Sequence, residues 1–266
     1  MKLQHFDKNL YKPIVNAIGN SSFIYLRNFG NYGDSLIREG SLRIFNDNNL
    51  DYVYLKDDES VIFDRLEKYR NNDKYKTFVF GGGGAWIEVY FDRMIAVIDR
   101  ALDIFDKIII LPSTYKKHQA LDDFLARVDK SKIIFFRRDD YISKEAIPDA
   151  IMVPDTALYI DSINISKGNK YNKGYFYRID LEATNKIDLP KSNYNLSGTG
   201  NDMTDVLPFF DQLNEFKELY TDRLHVCIAG YLLGKKVFFY NNSYDKNKSF
   251  YLTYLKDKAN IKFFDL

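Results

Sequence analysis

Short apolar runs alternate with amphipathic stretches along most of the chain. Phe23-Ile24-Tyr25-Leu26 predicts a strand, followed by the glycine-bearing turn 28–33 and a helix carrying Leu36, Ile37, Leu42, Ile44 and Phe45. Tyr52-Val53-Tyr54-Leu55 predicts a second strand and residues 60–69 a second helix. Thr77-Phe78-Val79-Phe80 predicts a third strand, ending in Gly81-Gly82-Gly83-Gly84. Helical spacing of Met94, Ile95, Ile98 and Leu102 marks 90–105, followed by strand 107–111, helix 118–128, strand 132–136, helix 139–147 and a short strand 150–153. Strand-helix alternation of this kind implies βαβ units and a parallel sheet covered on both faces. Ligands of such sheets bind beyond the carboxyl ends of the strands. The segment from Asn31 to Asp34, the glycine run, Pro112-Ser113-Thr114 and Arg137-Arg138 all fall there.

After Asp155 the pattern changes. Residues 161–172 are polar and rich in Ser, Asn, Lys and Gly, which marks a boundary. Division there gives an N-terminal α/β lobe, 1–165, and a smaller C-terminal α/β lobe, 166–266. In the second lobe the pattern predicts strands 174–179 and 194–196, and a helix 206–219 leading into Tyr220-Thr221. Helix 224–233, strand 235–240, a loop 241–249 and a last strand 261–264 complete it. The expected fold is α/β, two unequal lobes with a cleft between them.

Composition narrows the function classes. The chain has 266 residues, 45% apolar, with 38 Lys+Arg against 37 Asp+Glu. That balance argues against a broad basic face for nucleic acid. Cys227 is the single cysteine, so no intrachain disulfide forms; it lies in an apolar run and reads as a packing residue. Residues 1–20 carry no signal-peptide core, and no stretch approaches the roughly 18 apolar residues of a spanning helix. A cytoplasmic protein is expected. No His/Cys/carboxylate cluster has metal-ligand spacing, so no tightly bound metal is expected.

Within this frame the most informative segment is Thr221-Asp222-Arg223-Leu224-His225. It sets a permanent cation and a titratable imidazole two residues apart at a junction between strand and helix, and the chain holds only three histidines. The pair points to an enzyme that handles an anionic small molecule. Gly30-Asn31-Tyr32-Gly33-Asp34 reads either as an anion site at a helix N-terminus or as a tight turn with Asp34 as N-cap. The four glycines 81–84 read as an anion or sugar cradle, because a simple turn needs only one or two. They lack the Lys-Ser/Thr ending of a P-loop. Trp86 is a sugar-stacking ring or, more in keeping with a lone tryptophan, a core residue. Arg137 and Arg138 either clamp a phosphate or carboxylate or pair with Asp139 or Asp140. Asp155 either accepts from a sugar hydroxyl or caps a helix, and Arg178 is either a cleft residue or a surface charge.

Taken together and in order, these pieces resemble the polysaccharide pyruvyl transferase family. The matching elements are Asn31-Tyr32-Gly33-Asp34-Ser35-Leu36-Ile37, Phe80-Gly81-Gly82-Gly83, Leu111-Pro112-Ser113-Thr114, Phe136-Arg137-Arg138-Asp139, Pro154-Asp155-Thr156-Ala157-Leu158, Thr221-Asp222-Arg223-Leu224-His225 and Asn241-Asn242-Ser243-Tyr244-Asp245-Lys246. The resemblance implies two Rossmann-like lobes of the glycosyltransferase-B type. It also implies transfer of the enolpyruvyl part of phosphoenolpyruvate onto two hydroxyls of one sugar, giving a cyclic pyruvate ketal and phosphate. Phosphoenolpyruvate is then a co-substrate, with no further cofactor. The acceptor expected is a lipid-linked repeat unit of a bacterial capsule or exopolysaccharide, which would bring the protein to the inner face of the membrane as a peripheral contact.

On that chemistry Arg223, with Arg137 or Arg138, supplies cations for the donor. His225 is the first choice of proton carrier and Asp34 the second. Asn31, Gly33, Gly81, Gly82 and Gly83 complete a donor site, and Asp155, Trp86 and Arg178 an acceptor site. Two other classes remain open at this level: a nucleotide-sugar glycosyltransferase on the same scaffold, and a non-catalytic sugar-binding protein.

Overall fold

The computed structural model describes residues 2–166, 168–184 and 186–266. In chain order α1 (Lys12–Ile18) leads to β1 (Phe23–Leu26), α2 (Tyr32–Asp47), β2 (Tyr52–Leu55), α3 (Ile62–Glu67), β3 (Thr77–Phe80) and β4 (Gly83–Trp86). Then come α4 (Glu88–Leu102), β5 (Lys107–Tyr115), α5 (Gln119–Arg127), β6 (Ile133–Arg137), α6 (Ile142–Ala146) and β7 (Ile151–Met152). The remaining elements are β8 (Tyr171–Phe176), α7 (Leu207–Asn214), β9 (Phe216–Thr221), α8 (Leu224–Leu232), β10 (Lys236–Tyr240), α9 (Lys246–Phe250) and β11 (Ile261–Phe264). Among the described residues no helix is long and apolar enough to cross a membrane.

These elements form two compact units, each with its own parallel sheet. One comprises Lys8–Phe29 and Ser41–Asp155; the other comprises Met1–Asp7, Gly30–Gly40 and Thr156–Leu266. The expected α/β class with two Rossmann-like lobes, the second smaller, is observed. The partition differs from a single cut at residue 165, because the chain changes unit several times and α2 begins in one unit and ends in the other.

The larger sheet runs β2-β1-β3-β5-β6-β7, with β4 also paired to β5. Its central strands β1 and β3 are buried at every position, as near-continuous apolar strands are when both faces are covered. Trp86, 1% exposed, packs against Phe91, Tyr115, Phe124 and Phe135 in this unit's core, so it does not offer a face to a sugar.

The glycine run also has a structural cause here. A Cβ on Gly81 would collide with the backbone nitrogen of Asn28, and one on Gly82 with the carbonyl of Pro112. Gly83 has φ +143°, and from Gly83 the chain pairs with β5 as a strand rather than opening into a loop. The run is therefore a place where three backbone segments pass close together. Pro112-Ser113-Thr114 likewise lie inside β5, which runs on to Tyr115 rather than ending at Leu111.

The smaller sheet has the order β11-β10-β9-β8. Consecutive parallel strands joined by right-handed crossovers keep their connecting helices on one face. On that face Leu219, Val237 and Phe239 are fully buried with α7 and α8. The helix lies so close that a Cβ on Gly230 would sit 2.7 Å from Leu219 Cδ1 and 2.8 Å from Val237 Cγ2. The opposite face carries an aromatic row, Tyr175, Tyr220, Phe238 and Phe264, with successive ring centroids 5.2, 4.3 and 6.2 Å apart.

Three expectations fail in this unit. Residues 216–221 form the inner strand β9, not the end of a helix 206–219. Phe216, Leu219 and Tyr220 fall at i, i+3 and i+4, which imitates a helical stripe. Residues 194–196 form no strand; Asn193 makes only an isolated bridge to Tyr175. The expected loop 241–249 contains the start of α9.

Replacing Gly82 by alanine presses a methyl group into the Pro112 carbonyl, where both atoms are backbone and little can give. Overpacking of this kind costs about 1–3 kcal/mol. Urea unfolding of Gly82→Ala should show a loss of that size; an unchanged midpoint would argue against close packing as the reason for the glycine.

Candidate active site

Three chain segments meet at the carboxyl end of the smaller sheet. Arg178 lies two residues beyond β8, Asp222 and Arg223 follow β9, and Asn241 and Asn242 follow β10. Asp222 joins the first two, accepting from the Arg178 backbone N–H at 2.7 Å. Asn247, fully buried at the start of α9, donates to the carbonyls of Asp222 at 2.5 Å and Tyr240 at 2.9 Å. Thr221 Oγ1 donates to the Phe176 carbonyl at 2.9 Å and accepts the Arg223 N–H at 2.9 Å. Backbone and side chain thus fix the strand ends in one position.

Onto this frame the chain places a buried ionic network. Arg178 Nε donates to Asp180 Oδ1 at 2.7 Å and Nη2 pairs with Glu182 Oε1 at 2.9 Å. Lys246 Nζ donates to Glu182 Oε2 at 2.5 Å, and Tyr244 Oη to the same oxygen at 3.0 Å. Arg223 Nη1 pairs with Asp180 Oδ2 at 3.2 Å, while Nη2 donates to Asn195 Oδ1 at 2.9 Å. Burial pushes the Glu182 carboxyl up, but Lys246 and Arg178 outweigh it and hold the group at about 2. Asp180 is also held low: burial opposes, and Arg178 and Arg223 prevail. Asp222 moves the other way, raised by burial. Burial and the like charge of Arg178 make Arg223 a weaker base than an exposed arginine.

His225 follows on the first turn of α8. The other eight residues of that helix are buried, so His225 alone reaches partly toward the surface. The start of α2 passes close by. A Cβ on Gly33 would collide with His225 Nδ1, so the glycine allows this approach. The α2 start is itself a capping box: Asn31 Oδ1 accepts the Gly33 N–H at 2.8 Å, and Asp34 Oδ2 accepts the Asn31 N–H at 2.9 Å. Asn31 is therefore the N-cap, and Asp34 the reciprocal partner rather than the cap. The Asn-Tyr-Gly-Asp segment, Arg178, Arg223 and His225 belong to one unit, although up to 194 positions separate them (225 − 31).

Gly81, Gly82, Gly83, Trp86, Arg137, Arg138 and Asp155 belong to the other unit. Arg138 is 1% exposed; its Nε donates to Thr114 Oγ1 at 2.8 Å and its Nη1 pairs with Asp155. Asp155 is likewise buried, so neither member of this pair is open to a ligand, which corrects the expected roles of Arg138 in donor binding and of Asp155 in accepting from a sugar. Arg137 pairs with Asp140 at 2.9 Å, and Asp139 caps α6 by accepting the Ser143 N–H at 3.0 Å. Cys227 is fully buried and burial pushes its thiol well up, in keeping with a packing role.

The arrangement holds clustered guanidinium groups and an imidazole at the end of a parallel sheet, where anionic ligands of such folds bind. The family model for polysaccharide pyruvyl transferase matches residues 31–244, from the α2 cap to the Tyr244 that touches Glu182. The chain belongs to the polysaccharide pyruvyl transferase family and is a pyruvyltransferase of polysaccharide biosynthesis. A solved structure described as a functional uncharacterized protein from Klebsiella pneumoniae subsp. pneumoniae is 26% identical. It aligns over 98% of this chain and 99% of its own, with a TM-score of 0.77. No curated protein gives a significant match.

Asp180, Glu182, Asn195 and Asn247 were not legible as site residues. The one signal was the alternation of charged and apolar residues in Arg178-Ile179-Asp180-Leu181-Glu182, which the chain folds as a turn, with the Ala183 N–H donating to the Asp180 carbonyl at 2.9 Å. Because Glu182 sits below its ordinary value near 4.5, its contribution is complete above that pH and disappears as pH falls toward about 2. Glu182→Gln should cost about 3 kcal/mol at pH 7, since two buried cations lose their carboxylate. Unfolding measured across pH should show this gap closing between about pH 4.5 and pH 2; a gap independent of pH would exclude the ionised pairing as its source.

Proposed function

We propose that the protein transfers the enolpyruvyl group of phosphoenolpyruvate to two hydroxyls of one sugar in a capsular or exopolysaccharide repeat unit, closing a cyclic ketal and releasing phosphate. The observation that carries this reading is that Arg223 and His225 stand two residues apart at the start of α8, where His225 is the one residue that is not fully buried. Arg223 binds an anionic group of the donor. His225 delivers a proton to the methylene carbon, leaving an oxocarbenium-like centre at the carbon that bears the phosphate. One sugar hydroxyl adds there and loses its proton, phosphate leaves with its bonding pair, and the second hydroxyl adds and loses its proton. The acceptor is a lipid-linked oligosaccharide, met at the inner face of the membrane.

The position of His225 supports its role. The buried α8 fixes its backbone, and Gly33 leaves room for its ring. Phosphate release from phosphoenolpyruvate with galactoside, mannoside or glucoside acceptors tests the reaction. His225→Ala should lower the rate at least about 100-fold, the usual contribution of a positioned acid. Arg223→Lys should chiefly raise the donor KM, because the bidentate fork is lost. Full turnover by the histidine variant, or an unchanged donor KM in the lysine variant, would remove these assignments.

A further inference from the structure

We propose that Arg178 and Arg223 form a two-guanidinium clamp for one anionic group of the donor, and that Asp180 occupies this clamp until the donor arrives. The inference rests on phosphoenolpyruvate as donor and adds two residues to its site. Asp180 presents one oxygen to each arginine: Oδ1 to Arg178 Nε at 2.7 Å and Oδ2 to Arg223 Nη1 at 3.2 Å. A carboxylate spanning two guanidinium groups is the arrangement a bound carboxylate or phosphate adopts.

Exposure separates the fixed parts from the movable one. The Arg178 and Arg223 side chains are 7% and 4% exposed, and that of Asp180 is 38% exposed. Each arginine keeps another partner when Asp180 withdraws. Glu182 holds Arg178 Nη2 at 2.9 Å, and Asn195 holds Arg223 Nη2 at 2.9 Å. The flanking Ile179 and Leu181 are 59% and 80% exposed, so little apolar burial ties this segment down. Withdrawal of Asp180 leaves a local excess of positive charge, which an incoming anion restores to balance. The tethered carboxylate is thus a competitor for the same two cations.

Calorimetric titration of wild-type protein, Asp180→Asn and Arg178→Lys with phosphoenolpyruvate tests the clamp. Removing a tethered competitor should tighten binding by roughly tenfold, since tethering supplies effective concentrations in the millimolar range. Arg178→Lys should weaken binding by about tenfold, because a lysine cannot make the fork. Unchanged or weaker binding by Asp180→Asn, or unchanged binding by Arg178→Lys, would overturn the proposal. If the asparagine variant does not fold, Asp180→Ser gives the same comparison. If wild type and variants all fail to bind phosphoenolpyruvate, the donor assignment falls. Titration with inorganic phosphate and with pyruvate then decides the clamp: tighter binding of either by Asp180→Asn upholds it, and no gain for both ends it.

Discussion

Charge withdrawn from water must be matched, and at the end of the smaller sheet that requirement governs the local structure. Arg178, Arg223 and Lys246 are each less than a tenth exposed. An unmatched ion in such a place costs several kcal/mol. Asp180 and Glu182 are therefore not decoration on a loop; they are the condition under which three cations come together at all. The same condition fixes where the chain goes after β8, because the segment must return its carboxylates to the arginine it has just left and to a lysine that follows β10.

The proposed transfer needs cations for an anionic donor and a proton carrier beside them, and under that proposal the network and α8 would supply these from opposite mechanical circumstances. His225 stands on a helix whose other residues are packed into the core, so its position is inherited from the fold. The carboxylates stand on a segment whose apolar side chains face outward. If His225 is the proposed acid and Asp180 the proposed competitor, a rigid proton carrier and a yielding counter-charge would let one anion replace another without disturbing the acid.

Much of the architecture was legible in the sequence for a simple reason. The central strands β1 and β3 of the larger sheet are short, almost wholly apolar runs bounded by turns, so their limits are local properties. β9 was not legible, because Phe216, Leu219 and Tyr220 imitate helical spacing and only pairing with the neighbours β8 and β10 makes the segment a strand. The packing role of the glycine run was not legible for a related reason: it lies in the approach of Asn28 and Pro112, which no local pattern reveals. Arg223 and His225 stood out because a guanidinium and one of only three imidazoles lie two residues apart. Glu182 and Lys246, 64 positions apart, could not, since parallel strand order brings them together.

The path of the chain has a consequence for biosynthesis. The smaller-sheet unit takes its first residues from the chain start, with Leu3 donating to the Asp161 carbonyl and Gln4 to that of Leu232, and it holds Tyr32 and Leu36 in its core. The larger sheet has all its strands once Met152 has been made. Tyr32 and Leu36 must wait for α7 and α8 to leave the ribosome, a delay on the order of ten seconds or more at ordinary rates of synthesis. For that interval the helix start that will stand against His225 is a nascent apolar stripe without its core. The capping box of Asn31 and Asp34, which needs only neighbouring residues, is the part of the site able to form first.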